Sequence, residues 1–232
     1  MYPIETASVN TLIIYFAHTP SVKVSALIAN AAEKIKQQLP AVTDLIPAYT
    51  SLLVCYDLLK IDAAQLRLQL EQILQNLELD SLPANSGKLL EIPVYYSTET
   101  GIDLLPLAKA KNLSVEEVIA LHCGQEYRVA AIGFAPGFAY LGDLPEALAQ
   151  ARHSTPRLSV PAGSVAIANR QTAVYPLTSP GGWHLIGRTT TAMFDRSLPS
   201  LCPVKMGDRV RFYSISKEQF LDQGGQLKQE AV

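Results

Sequence analysis

The stretch "RLSVPAGSVAIA", residues 157–168, followed by "TAVYPL" (172–177) and "WHLIGRT" (183–189), decides the fold of this chain. Each run is short, rich in β-formers and cut off by Gly or Pro, the texture of many brief strands joined by tight turns. Outward from it, "EYRVAAIGF" (126–134) and "DRVRFY" (208–213) continue the pattern. In the latter, Val210 and Phe212 alternate with Arg209 and Arg211, which predicts a strand with one wet face. Such runs close into a sandwich or a barrel. "KLLEIPVYY" (88–96) adds a strand, and "LSVEEVIALH" (113–122) a helix opened by a capping box between Ser114 and Glu117.

The first 86 residues have a different composition. All 13 glycines lie at or after Gly87. The runs "VNTLIIYF" (9–16), "VTDLIPAY" (42–49) and "TSLLVCYD" (50–57) read as strands. Between and after them, Val24, Leu27, Ile28, Ala31, Ile35 and Leu39, then Leu66, Leu70, Ile73, Leu74 and Leu77, recur at steps of three and four. Those spacings give two helices, each with one apolar face for a sheet. The segment "LDSLPANSGK" (79–88) clusters turn formers and reads as a linker. The expectation is an α+β chain with a small α/β N-terminal domain at residues 1–84 and a mostly β domain at 85–232.

Nineteen basic against 21 acidic residues leave a net charge of -2, so no broad positive field invites nucleic acid or anionic lipid. The opening residues "MYPIETASVN" lack the charged flank and apolar core of a signal peptide, and no apolar run approaches the roughly 20 residues of a membrane span. A cytoplasmic protein is expected. Cys55, Cys123 and Cys202 are odd in number and contain no C-x-x-C pair, so they read as buried, reduced thiols. The four histidines include no helix-spaced ligand pair, and no metal site is indicated.

Gly182, Gly187, Arg188 and Thr189 reproduce the spacing of a phosphate-binding P-loop, with arginine in place of lysine. Both flanks argue against it. Pro176 and Pro180 interrupt any central strand upstream, and three β-branched threonines follow where a helix should open. A turn followed by a strand is the better reading. Ser164 lacks a nucleophile elbow, which needs G-x-S-x-G between a strand and a helix. What remains is a polar set on the Gly/Pro-rich half: Arg152, His153, Arg157, Ser164, Gln171, Thr172, Tyr175, Trp183, His184 and Arg188.

Four motifs in this half carry a resemblance. They are P-G-F-x-Y-L-G (136–142), V-P-A-G-S-V (160–165), Q-T-x-x-Y-P (171–176) and S-P-G-G-W-x-L-I-G-R-T (179–189). With "PAYTSLLVCYD" (47–57), the chain resembles the family of the 5-oxoprolinase B subunit, also described as KipI-like or allophanate hydrolase subunit 1-like. The resemblance implies that the second domain is a cyclophilin-like β-barrel. It implies a component, inactive alone, of a hydrolase that uses ATP and acts with subunits A and C to open 5-oxo-L-proline to L-glutamate. A KipI-like inhibitor of a sensor histidine kinase and a urea- or allophanate-processing module are the alternatives. Within it, His184, Arg188 and Arg157 are the catalytic candidates, and Gly163, Ser164, Gln171, Thr172, Tyr175 and Trp183 the substrate-binding ones. The arginines suit a carboxylate or phosphate, and the Gly163 and Ser164 amides an oxyanion. The family's G-G-E-x-G-P-D stretch, expected in the first strand of the second domain, reads here "STETGID" (97–103), keeping Glu99, Gly101 and Asp103. Its first Pro-Arg pair is Ala151-Arg152.

Overall fold

The computed structural model describes residues 2–19, 21–77, 87–197 and 199–227, so the linker expected at 79–88 lies outside the described residues except for Gly87 and Lys88. The chain divides into two compact units, Met1–Ser86 and Gly87–Val232.

The first unit contains β1 (Ile4–Ser8), β2 (Thr11–Tyr15), α1 (Val22–Gln38), β3 (Val42–Pro47), β4 (Ser51–Tyr56) and α2 (Ala63–Gln75). Its strands form an antiparallel sheet in the order β1-β2-β4-β3. Period-two alternation buries Leu12 and Ile14 on β2 and Leu52, Val54 and Tyr56 on β4. The helical stripes are buried too, through Leu27, Ile28, Ala31 and Ile35 on α1 and Leu66, Leu70, Ile73 and Leu74 on α2. Ser21 caps α1 and Asp62 caps α2, each accepting a backbone N–H three residues on. Strand β1 escapes sequence patterning because it is an edge strand with one buried residue, Ile4.

The second unit is the barrel. Its strands are β5 (Leu89–Val94), β6 (Glu126–Ile132), β7 (Ala139–Gly142), β8 (Arg157–Val160), β9 (Ser164–Ala168), β10 (Gln171–Val174), β11 (Ser179–Gly181), β12 (His184–Arg188) and β13 (Arg209–Ser214). Helices α3 (Leu104–Lys111), α4 (Val115–Cys123) and α5 (Lys217–Asp222) complete it. Seven strands run in the order β12-β9-β10-β7-β6-β13-β5, and β8 and β11 pair as a separate ribbon. The edges of the large sheet meet where Tyr95 and Arg188 exchange backbone hydrogen bonds of 2.8 and 3.0 Å. That seam requires close backbone approach. A Cβ on Gly187 would fall 2.8 Å from Val94 Cγ1, and one on Gly101 would fall 2.2 Å from the Ile186 carbonyl carbon. The glycine that suggested a P-loop therefore closes a barrel.

The capping box at Ser114 and Glu117 forms as read from the sequence, and β13 buries Val210 and Phe212. Strand β7, ribbon strand β11 and helices α3 and α5 were not anticipated. They are short, and α3 carries Pro106 in its first turn. "STETGID" is not in the first strand of the unit. It is the turn between β5 and α3. The three cysteines are free but half-buried, not buried.

His122, on α4, is fully enclosed between the rings of Tyr127 and Phe212. Thr172 Oγ1 donates its one proton to the Ala166 carbonyl at 3.0 Å, so it accepts from His122 Nε2 at 2.8 Å. Nδ1 then accepts the Tyr96 hydroxyl at 2.7 Å. Burial pushes this histidine down from 6.5 to about 3. A native state that refuses a proton which the unfolded chain accepts is fully stable above pH 6.5 and loses stability as pH falls towards 3. Urea denaturation should show about 2 kcal/mol lost through this residue between pH 6.5 and pH 4.5, the slope rising to about 1.36 kcal/mol per unit once the unfolded imidazole is fully protonated. His122→Gln, which keeps one donor and one acceptor, should show a correspondingly flatter pH dependence.

Candidate functional site

Asp103 occupies the N-cap position of α3, yet its carboxylate makes no capping hydrogen bond. It reaches across the barrel seam instead. Oδ2 accepts the Leu185 N–H of β12 at 2.8 Å, and Oδ1 accepts from Arg157 Nη2 at 2.7 Å. Forgoing a cap costs about 1 kcal/mol of helix stability, so the carboxylate is committed to tertiary structure. Its side chain is only 8% exposed.

Two imidazoles complete the cluster. His153 Nε2 lies 3.4 Å from Asp103 Oδ1, and its ring leans on His184 with centroids 3.9 Å apart and planes inclined at 42°. His184 Nε2 donates to the Ala151 carbonyl at 2.7 Å, and the His153 N–H donates to Gly182 O at 2.8 Å. Loop 151–157 is thereby pinned along residues 182–184. Burial holds His184 below the ordinary imidazole range, with the His153 ring acting the same way and the Ala151 carbonyl opposing. Asp103, His153 and His184 offer three ligand-type atoms within 4.8 Å of one another. A cation there would sit beside the Arg157 guanidinium on an oxygen already in use, so the geometry suits handling protons and anions better than holding a metal.

The segment just before β12 serves a second site. Trp183 turns away from the cluster into an aromatic cleft of ≈ 250 Å³ with Phe134, Phe138, Tyr140 and Tyr175. Phe138 meets the Tyr175 and Trp183 rings edge-on at 5.2 and 5.6 Å. The Arg152 guanidinium lies 5.7 Å over the Trp183 ring. Phe134, at the rim, is 66% exposed and left-handed (φ 72°), a conformation that costs a non-glycine residue roughly 1–2 kcal/mol.

The residues singled out in the sequence thus fall in several places. Arg157 and His184 join Asp103, while Tyr175 and Trp183 line the cleft. Arg188 sits at the seam, donating from Nε to the Ala162 carbonyl and from Nη1 to that of Gln226. Gly163 and Ser164 lie beside it, but their amides already donate to the Tyr175 and Pro161 carbonyls, so neither is aimed at an oxyanion. Thr172 is inside the barrel on His122, away from the other candidates. Gln171 begins β10 opposite Ala168. Asp103 was absent from the expected site, although its place at the end of "STETGID" was the available signal. His153 stood only in the wider polar set.

Residues 2–204 match the family model for the carboxyltransferase domain, subdomains C and D. The chain is 48% identical over 135 residues to the 5-oxoprolinase B subunit of Bacillus subtilis (strain 168), covering 57% of this chain and 55% of that protein. It is 43% identical over 152 residues to the 5-oxoprolinase B subunit of Haemophilus influenzae, covering 66% of this chain and 70% of that one. The match thus spans little over half the length of the first relative. Among solved structures, that of TTHA0988 superposes with a TM-score of 0.77 at 35% identity, covering 89% of this chain and 40% of that one. No helix among the described residues is long and apolar enough to cross a membrane.

Asp103→Ala leaves Arg157 without its carboxylate and the Leu185 N–H without an acceptor. Chemical denaturation should show a loss of about 3 kcal/mol at an unchanged m-value.

Proposed function

The chain belongs to the carboxyltransferase subdomain C and D family, alongside the B subunits of 5-oxoprolinases, and from that premise we propose that it is the B subunit of an ATP-dependent 5-oxoprolinase. With subunits A and C it opens 5-oxo-L-proline to L-glutamate in the cytoplasm, and it does not turn over alone. The observation that carries this reading is the identity of 43–48% to two proteins of that name. The Asp103–Arg157–His153–His184 cluster supplies chemistry suited to it.

A lactam is a poor electrophile, because its nitrogen lone pair is delocalised into the carbonyl. ATP supplies the driving force by activating the amide oxygen. Water then adds to the ring carbon, and the tetrahedral intermediate needs donors for its oxygen, each worth roughly 3–4 kcal/mol. Arg157 fits the part of an anion-binding donor. Its side chain is 26% exposed, and Asp103 fixes one end of its planar fork. Arg188 takes a structural part, because both of its hydrogen bonds tie the seam to backbone carbonyls.

Purified chain, subunits A and C, ATP and 5-oxo-L-proline should together yield glutamate, and leaving out this chain should abolish it. A complete mixture that forms no glutamate would overturn the proposal. Arg157→Lys keeps the ion pair with Asp103 but loses the fork. It should lower kcat/KM at least about tenfold, the scale of one charge-assisted hydrogen bond, as read by a glutamate assay.

A further inference from the structure

Hydrolysing an amide requires a group that takes a proton from water and gives one to the departing nitrogen, and a histidine whose tautomer is fixed does both. Of the four histidines, His18 is exposed and lies in the other unit. His122 has both ring nitrogens engaged inside the barrel. His184 spends Nε2 on the Ala151 carbonyl and is 9% exposed beneath the His153 ring. His153 differs from all three. Its Nε2 is sealed from solvent and faces Asp103 Oδ1 at 3.4 Å, with no full hydrogen bond formed. Its side chain is nevertheless 30% exposed, so the open part of the ring lies away from that nitrogen.

The surroundings hold this residue in place at three points. The backbone N–H of His153 is fixed on Gly182 O, and His184 forms the floor. Asp103 cannot swing away, because Leu185 N–H and Arg157 hold its two oxygens. A carboxylate behind one ring nitrogen keeps the proton on that nitrogen and leaves the other as the base. A contact of 3.4 Å is loose, as such contacts are before a substrate and its partner proteins close the site.

We propose that His153 is the proton-transfer residue of the lactam opening, held by Asp103 in its Nε2–H tautomer with Nδ1 as the base; this role rests on the oxoprolinase reading above. As the water oxygen bonds to the lactam carbon, Nδ1 accepts a water proton. As the carbon–nitrogen bond breaks, Nδ1 returns that proton to the departing nitrogen. The second water proton passes from the new carboxyl group to the amine, and the phosphoryl group that ATP placed on the oxygen stays on that carboxyl as an acyl phosphate, which a second water splits to carboxylate and phosphate. Two waters and one ATP are consumed, and the imidazole is unchanged.

Two measurements test it. In the 15N-labelled chain above pH 8, two-bond proton–nitrogen correlations should show His153 as Nε2–H, and Asp103→Asn should shift it to a mixture, with the His122 signals unmoved as the control for folding. His153→Gln identifies the signals by their disappearance. In the assembled complex, His153→Gln should lower kcat about 100-fold or more with KM within about twofold, and His184→Gln should lower kcat less. A wild-type His153 found as Nδ1–H overturns the proposal whatever the complex does. An active complex in which His153→Gln keeps more than about a tenth of its turnover overturns the role alone. A wild-type complex that makes no glutamate overturns the oxoprolinase reading and the role built on it, even with the tautomer as expected.

Discussion

The pair of backbone hydrogen bonds between Tyr95 and Arg188 is the contact on which the second unit depends. It joins the two edges of a seven-stranded sheet, and an open edge of unpaired N–H and C=O groups would otherwise remain. Closing it presses residues 94–101 against β12 so tightly that Gly101 and Gly187 have no room for a side chain. The same closeness carries Asp103, two residues past Gly101, onto the Leu185 N–H. Barrel closure and site assembly are therefore one event. Arg188 belongs to that event, with its backbone on Tyr95 and its guanidinium on two carbonyls, which explains an arginine inside a structural motif.

Histidine serves two opposite purposes within the barrel unit. His122 is neutral, enclosed and completely satisfied, a polar plug whose hydrogen bonds fix how α4 sits on the barrel. His153 and His184 lean on each other around a single carboxylate with an arginine alongside, His153 partly open to solvent and His184 beneath it. Their sequence neighbourhoods do not separate them. What separates them is whether the barrel wall or the solvent lies on the far side of the ring.

One short segment, the bend at Trp183 and the first residue of β12, gives the unit two chemical faces. Trp183 lines an aromatic cleft and His184 joins a charged cluster. Loop 151–157 repeats the division, with Arg152 over the indole and His153 on the carboxylate. The cleft has the rigid rings and single guanidinium of a recognition surface, and the cluster has the proton-bearing groups. Both are hung on the same short segment.

The sequence by itself determined the α+β class, the alternation of buried and wet residues on β13, the capping box of α4 and the rejection of a P-loop. All of these rest on local spacing, where period and turn chemistry act within a few residues. It also marked the barrel motifs and named Arg157 and His184, which the fold brings together around Asp103. It did not show that Gly163 and Ser164 spend their amides internally, that Thr172 faces the core, or that Arg188 is a seam residue, because each depends on which carbonyl lies opposite. Asp103 is the clearest case. Its partners are 54 and 82 residues away, and its own position would read as a helix cap. Only barrel closure, which brings a turn before α3 against the middle of β12, decides that this carboxylate organises a site and does not cap its helix.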